Sequence, residues 1–142
     1  MSATDNRAYR FPVSVKGVII SDGRVVLLKN ERGEWELPGG KLEPGEHPPD
    51  CLVREIREEI NLQAEVSDLL DCWLYRILPG VEVLIVTHGC LVASLAGLRV
   101  SHEHKELATF GLDEVAGLPM PAGYKDSIRR WADRLGGGAP SA

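Results

Sequence analysis

Runs with the two-residue period of strands alternate along this chain with two segments that keep the period of a helix. Residues 13–20 and 24–29 are β-rich and flank Ser21-Asp22-Gly23, a sequence suited to a hairpin-type turn. The period then changes: Leu52, Val53, Ile56 and Ile60 fall on one side of a helix predicted over about 48–60. Pro48 and Pro49 suit its first turn, where a missing N–H costs little. Residues 64–77 and 81–93 are again β-rich, separated by the turn signal Pro79-Gly80. The second of these, VEVLIVTHGCLVA, is largely apolar, which predicts a central strand buried on both faces. Residues 97–101 and 107–110 read as short strands around the polar loop 101–106, and 113–116 as one helical turn. Tyr124, Ile128, Trp131 and Leu135 recur at i, i+4, i+7 and i+11 and predict a closing amphipathic helix. Residues 1–9 read as a polar leader and 136–142 as a flexible tail. With one helix in the middle and one at the end, the expected architecture is α/β, a mixed β-sheet between helices on both faces.

The middle helix carries more than its apolar face demands. At about 100° per residue, Glu55, Glu58 and Glu59 stand at i, i+3 and i+4 and share one side. On its own, an acidic helix face is ordinarily just solvated. Three like charges this close nevertheless repel, and packing does not ask for them. A hard divalent cation with oxygen ligands would relieve the repulsion, so this face is a candidate metal site. Upstream, Trp35-Glu36-Leu37-Pro38-Gly39-Gly40 ends in a turn that admits unusual backbone angles. A strand would thus pass through a loop into the acidic helix. Arg54 has Glu58 as its i+4 neighbour, and Glu46 in the loop is within its reach.

Residues 40–62, GKLEPGEHPPDCLVREIREEINL, resemble the Nudix box of the Nudix hydrolase family. That motif runs Gly, five residues, Glu, seven residues, Arg-Glu-aliphatic-any-Glu-Glu-any-Gly-aliphatic. Here its positions are Gly40, Glu46, Arg54, Glu55, Ile56, Glu58, Glu59, Asn61 in place of the usual Gly, and Leu62. Asn61 is the next most tolerant residue for a left-handed helix end and removes no ligand. The Leu-Pro-Gly-Gly lead-in matches too, and the order of segments extends the likeness over roughly residues 10 to 135. The resemblance implies a Nudix-type α/β/α sandwich forming a single domain over 1–142. It implies magnesium or manganese held chiefly by Glu58 and Glu59, with Glu55 assisting and the Gly39 carbonyl as a further oxygen. Glu46 and Arg54 are then loop-to-helix ties, and Lys41, beside the metal helix, is a candidate phosphate contact against the plain alternative of a surface lysine. Many members carry an E-H-x-E stretch where this chain has Glu103-His104-Lys105-Glu106. An aromatic usually follows three residues after the second Glu; here that position is Thr109, with Phe110 next. In some relatives the first Glu orients or deprotonates the attacking water, so Glu103 is the candidate base or extra ligand, ahead of Glu106; the plain alternative is a hydrated loop.

Other residues carry less. His102 and His104 lack a third His or Cys at zinc-ligand spacing and read as surface histidines. Cys51 reads as a small buried residue, and Trp35, Trp73 and Trp131 as core rather than base-stacking platforms. At 142 residues the chain can bury a sizeable core. A net charge of −5 without a basic run argues against duplex nucleic acid or an anionic membrane as partner. No apolar stretch reaches membrane-spanning length, and the N-terminus lacks the apolar region of a secretory signal. Three scattered cysteines without C-x-x-C predict a reduced, cytoplasmic setting.

By this resemblance the expected activity is cleavage of a diphosphate linkage in a nucleoside diphosphate derivative. A nucleotide sugar such as ADP-ribose leads, and a nucleoside triphosphate releasing pyrophosphate stands close behind. Two contrasting readings are a Nudix fold kept as a nucleotide-binding module and an isopentenyl diphosphate isomerase. Binding modules typically lose part of the Arg-Glu and Glu-Glu set, of which this chain has lost none, and no additional Cys and Glu pair recommends the isomerase. The partner is a small-molecule nucleotide, and a homodimer is left open.

Overall fold

The computed structural model describes residues 10–101 and 105–137. Strand β1 (Val13–Ser21) turns through Asp22 and Gly23, both at positive φ, into antiparallel β2 (Arg24–Lys29). Two short strands, β3 (Trp35–Glu36) and β4 (Gly39–Lys41), lead to helix α1 (Pro48–Ile60). Strands β5 (Ala64–Leu78), β6 (Val81–Val92) and β7 (Glu106–Gly111) follow. A 3₁₀ turn (Leu112–Gly117) and helix α2 (Ala122–Gly137) complete the described chain.

The apolar run of β6 is explained by its place. It pairs in parallel with β1, from Val13 opposite Leu84 to Ile19 opposite Cys90, and antiparallel with β5 on its other edge. Burial on both faces holds around Thr87–Cys90 but fails at the ends, where Val81 and Leu91 are exposed. The free edge of β1 is divided: β4 pairs with its first half and β2 with its last residues. Strands β3 and β7 then flank β2.

Alternation along β1 sends side chains into two cores. Val15 and Ile19 pack with Cys51, Leu52, Ile56 and Ile60 of α1. Val18 packs with Tyr124, Ile128 and Trp131 of α2. The helices therefore cover opposite faces of a mixed sheet, giving the α/β/α sandwich. Each fully buried Leu or Ile in these layers contributes about 1.5–3 kcal/mol. Among the described residues, no helix is long and apolar enough to cross a membrane.

Four local expectations are corrected. Val53 is only half-buried, and Cys51 takes the fully buried place in the first turn of α1. Leu135, in the last turn of α2, stays 43% exposed. That helix reaches Gly137, inside the expected tail. Residues 97–101 form no strand: the amides of Arg99 and Ser101 donate to the carbonyls of Ile60 and Glu59. Those carbonyls belong to the last turn of α1, which has no partners of its own. The segment caps the helix instead of joining the sheet.

Strand β5 forms one edge of the sheet and is long and irregular. Leu69, Leu74 and Leu78 point outward from it. Its register with β6 shifts between Val66 and Leu69, between Leu69 and Asp71, and between Arg76 and Leu78.

Candidate active site

Pairing of β4 with β1 brings Gly39 and Gly40 against the acidic face of α1. Gly39 has φ 140°, and a Cβ there would overlap the Val15 carbonyl. A Cβ at Gly40 would fall on the Glu55 carboxylate. Two residues without side chains thus allow a strand to approach a row of acids closely. The Gly39 amide uses that proximity and donates to Glu59 Oε1 at 3.0 Å.

Two internal cations hold the acids. Arg54 Nε lies 2.6 Å from Glu46 Oε2, and its Nη2 lies 2.9 Å from Glu46 Oε1. Its remaining nitrogen reaches Glu55 Oε2 at 3.1 Å and Glu58 Oε1 at 3.3 Å. This two-pronged hydrogen bond from Arg54 pulls the Glu46 carboxyl down to about 2, and Arg54 itself is raised. Deeper in, Lys105 Nζ lies 2.7 Å from Glu36 Oε2 and 3.1 Å from Glu59 Oε2. Burial works against the charge on Lys105, yet Glu36 and Glu59 outweigh it and raise its pKa. Burial likewise opposes ionisation of Glu36, but Lys16 and Lys105 outweigh it and lower the carboxyl.

A cleft of about 520 Å³ opens over this face. Gly39, Lys41, Glu55, Glu58 and Glu59 all line it, together with Gly40, Glu31, Ser101 and Lys105. Arg54 and Glu46 stand beside it, tying the loop to the helix. Glu103 lies outside the described residues, as do His102 and His104. Glu106 opens β7 opposite Lys29, is exposed, and does not line the cleft.

The acids are not a bare repelling row. The Glu58 side chain is 58% exposed, but that of Glu59 is only 10% exposed, fixed by an amide and an ammonium. All the donors are hard oxygens of the kind magnesium and manganese take. Among the described residues, however, no three His, Cys, Asp or Glu side chains converge as a ready-made cage. The donor chemistry fits a divalent cation, while Arg54 and Lys105 already contact oxygens of Glu55, Glu58 and Glu59 that such a cation would use.

Lys105, Glu36, Glu31 and Ser101 were not among the residues expected here. Ser101 hydroxyl donates to the Glu58 carbonyl at 2.7 Å, and this cap of α1 brings its segment to the cleft. Cys51 is buried with its thiol pushed up to about 11, chiefly by burial, which leaves it inert as a nucleophile. Trp131 is core, and Trp35 and Trp73 pack against the same layer.

Comparison with known proteins agrees with this geometry. The family model described as NUDIX domain matches residues 10–133. The chain is 30% identical over 111 residues to the CTP pyrophosphohydrolase of Escherichia coli, a match spanning 75% of this chain and 80% of that one. It is 41% identical over 69 residues to the ADP-ribose pyrophosphatase of Methanocaldococcus jannaschii, covering 45% of this chain and 41% of the relative. The crystal structure of a MutT NUDIX hydrolase from Burkholderia pseudomallei superposes with a TM-score of 0.75 at 26% identity, over 86% of this chain and 98% of that one. With the family motif laid along one cleft and the family model spanning most of the sequence, this chain belongs to the Nudix hydrolase family.

Proposed function

We propose that the protein is a divalent-cation-dependent hydrolase that opens a diphosphate linkage in a nucleoside phosphate derivative. The observation that carries this reading is the single cleft joining Glu55, Glu58 and Glu59 to Gly39 and Lys41. Magnesium or manganese would be held there by the three carboxylates and the Gly39 carbonyl. Such a cation, when bound, offsets phosphate charge and lowers the pKa of a bound water.

The chain's own groups do the rest. Gly39 orients Glu59 through its amide, and Arg54 fixes the Glu46 loop against the helix. Exposed Lys41, at the end of β4, offers an ammonium to a phosphate oxygen. Glu103 is the proposed base on the strength of the resemblance. Glu103→Gln should lower turnover by about 10²–10⁴-fold with little change in substrate binding. Glu106→Gln, outside the cleft, serves as its control.

Of the two substrate classes, a triphosphate releasing pyrophosphate has the broader support. The relative named for CTP is matched over 80% of its length, and the one named for ADP-ribose over only 41%. The test is a panel of triphosphates, nucleotide sugars and dinucleoside polyphosphates incubated with magnesium, the products being resolved by chromatography. Pyrophosphate as product identifies the triphosphate class; two monophosphates identify the sugar class. Full turnover in excess chelator, with no metal detectable, would overturn cation dependence.

A further inference from the structure

Lys105 lies outside the motif helix, yet among the described residues it is the cation that Glu59 binds. Its side chain is 22% exposed and is held between acids from two different elements, Glu36 of β3 and Glu59 of α1. Both Glu59 oxygens are engaged, Oε1 by the Gly39 amide and Oε2 by the Lys105 ammonium. A divalent cation seeking Glu59 therefore meets a positive charge already seated on its ligand. Arg54 is not that competitor: its two shortest bonds go to Glu46, and none goes to Glu59. Glu36 is positioned to keep the ammonium when Glu59 is given up, since it makes the shorter contact and is itself braced by Asn30.

We infer that Lys105 is a tethered counter-ion that competes with the divalent cation for Glu59 and so sets the cation affinity of the cleft. It is a positioning residue, and the inference rests on the cation-dependent reading above. Removing its charge leaves the cleft more negative, so binding of the cation should tighten.

The test is manganese binding to substrate-free protein, followed by calorimetry and by the rise in melting temperature. Lys105→Met should bind manganese about fivefold more tightly than the parent, the scale of a partly exposed ion pair. Its melting temperature in chelator should fall, and manganese should raise it by more than it raises the parent's. Lys105→Arg, which keeps the charge, should stay near the parent. Where Lys105→Met does not fold, Lys105→Gln keeps a donor for the two acids and carries the same comparison. Equal or weaker manganese binding in a folded, uncharged variant overturns the inference. Absence of manganese binding to the parent and to the folded, uncharged variants alike overturns instead the cation-dependent reading beneath it.

Discussion

The two ion networks on α1 differ in the way that matters for a site that must open. Arg54 grips Glu46 through two parallel bonds, the geometry for which the planar guanidinium is pre-organised. Lys105 offers one nitrogen to two acids on separate elements, as a point charge on a flexible stem. The first network is a fastening and the second an exchangeable contact. One helix thus divides into an end fixed to its loop and an end whose acid can change partners.

Neutralising an acid in each network should break the molecule in opposite ways. Glu59→Gln has the larger expected effect on chemistry, a fall in turnover of about 10²–10³-fold from lost charge stabilisation. Because Glu59 is enclosed and paired, melting in chelator should drop slightly as well. Steady-state kinetics at saturating magnesium checks this: a parent-like rate removes Glu59 from the ligands.

Glu46→Gln should weigh the other way, lowering the melting temperature clearly while costing about tenfold in turnover, the low end for a group that orients others. Its pH dependence follows from the depressed carboxyl, which has an ordinary value of 4.5 and is held here at about 2. Stability from the tie is fully present above the ordinary value and is lost as pH falls through the lower one. The melting gap between parent and variant should therefore shrink below pH 4.5 and close near pH 2. A gap that stays constant over that range would assign Glu46 a packing role instead.

The smallest change lies where the helix ends. Asn61 sits at φ 60° and ψ 36°, left-handed as its replacement of Gly suggests, and also donates Nδ2 to the Gly97 carbonyl at 3.0 Å. Asn61→Gly relieves the backbone but loosens the unfolded chain and deletes that bond. We expect a loss of about 1 kcal/mol in denaturant unfolding, with turnover unchanged.

The Arg54 network was legible in the sequence because its partners are close in the chain: Glu58 is its i+4 neighbour on the helix and Glu46 lies eight residues upstream in the adjoining loop. The Lys105 network was not. Lys105 meets Glu36 from 69 residues away and Glu59 from 46, and a lone lysine in a polar loop has no period to betray its direction. Residues 97–101 misled for a related reason: their composition suits a strand, but their hydrogen bonds go to the open end of α1. Leu135 keeps the helical period, and period alone does not say where the covered surface stops. Strand β6, by contrast, was readable because an interior strand must be apolar over a long run.

The irregular register of β5 has a consequence for how copies of this protein meet in a crowded solution. A straight, 15-residue edge bearing outward leucines would offer another chain an uninterrupted ladder of amides and carbonyls. Each bulge twists the strand and throws its hydrogen-bonding groups out of step with any incoming partner. Asp68 and Asp71 fall within the bulged stretch and Arg76 beside the last shift, adding charge where a foreign strand would have to dock. The longest run in regular register is Asp71 to Arg76, and that stretch, which holds the exposed Leu74, carries a charge at each end to discourage a foreign strand.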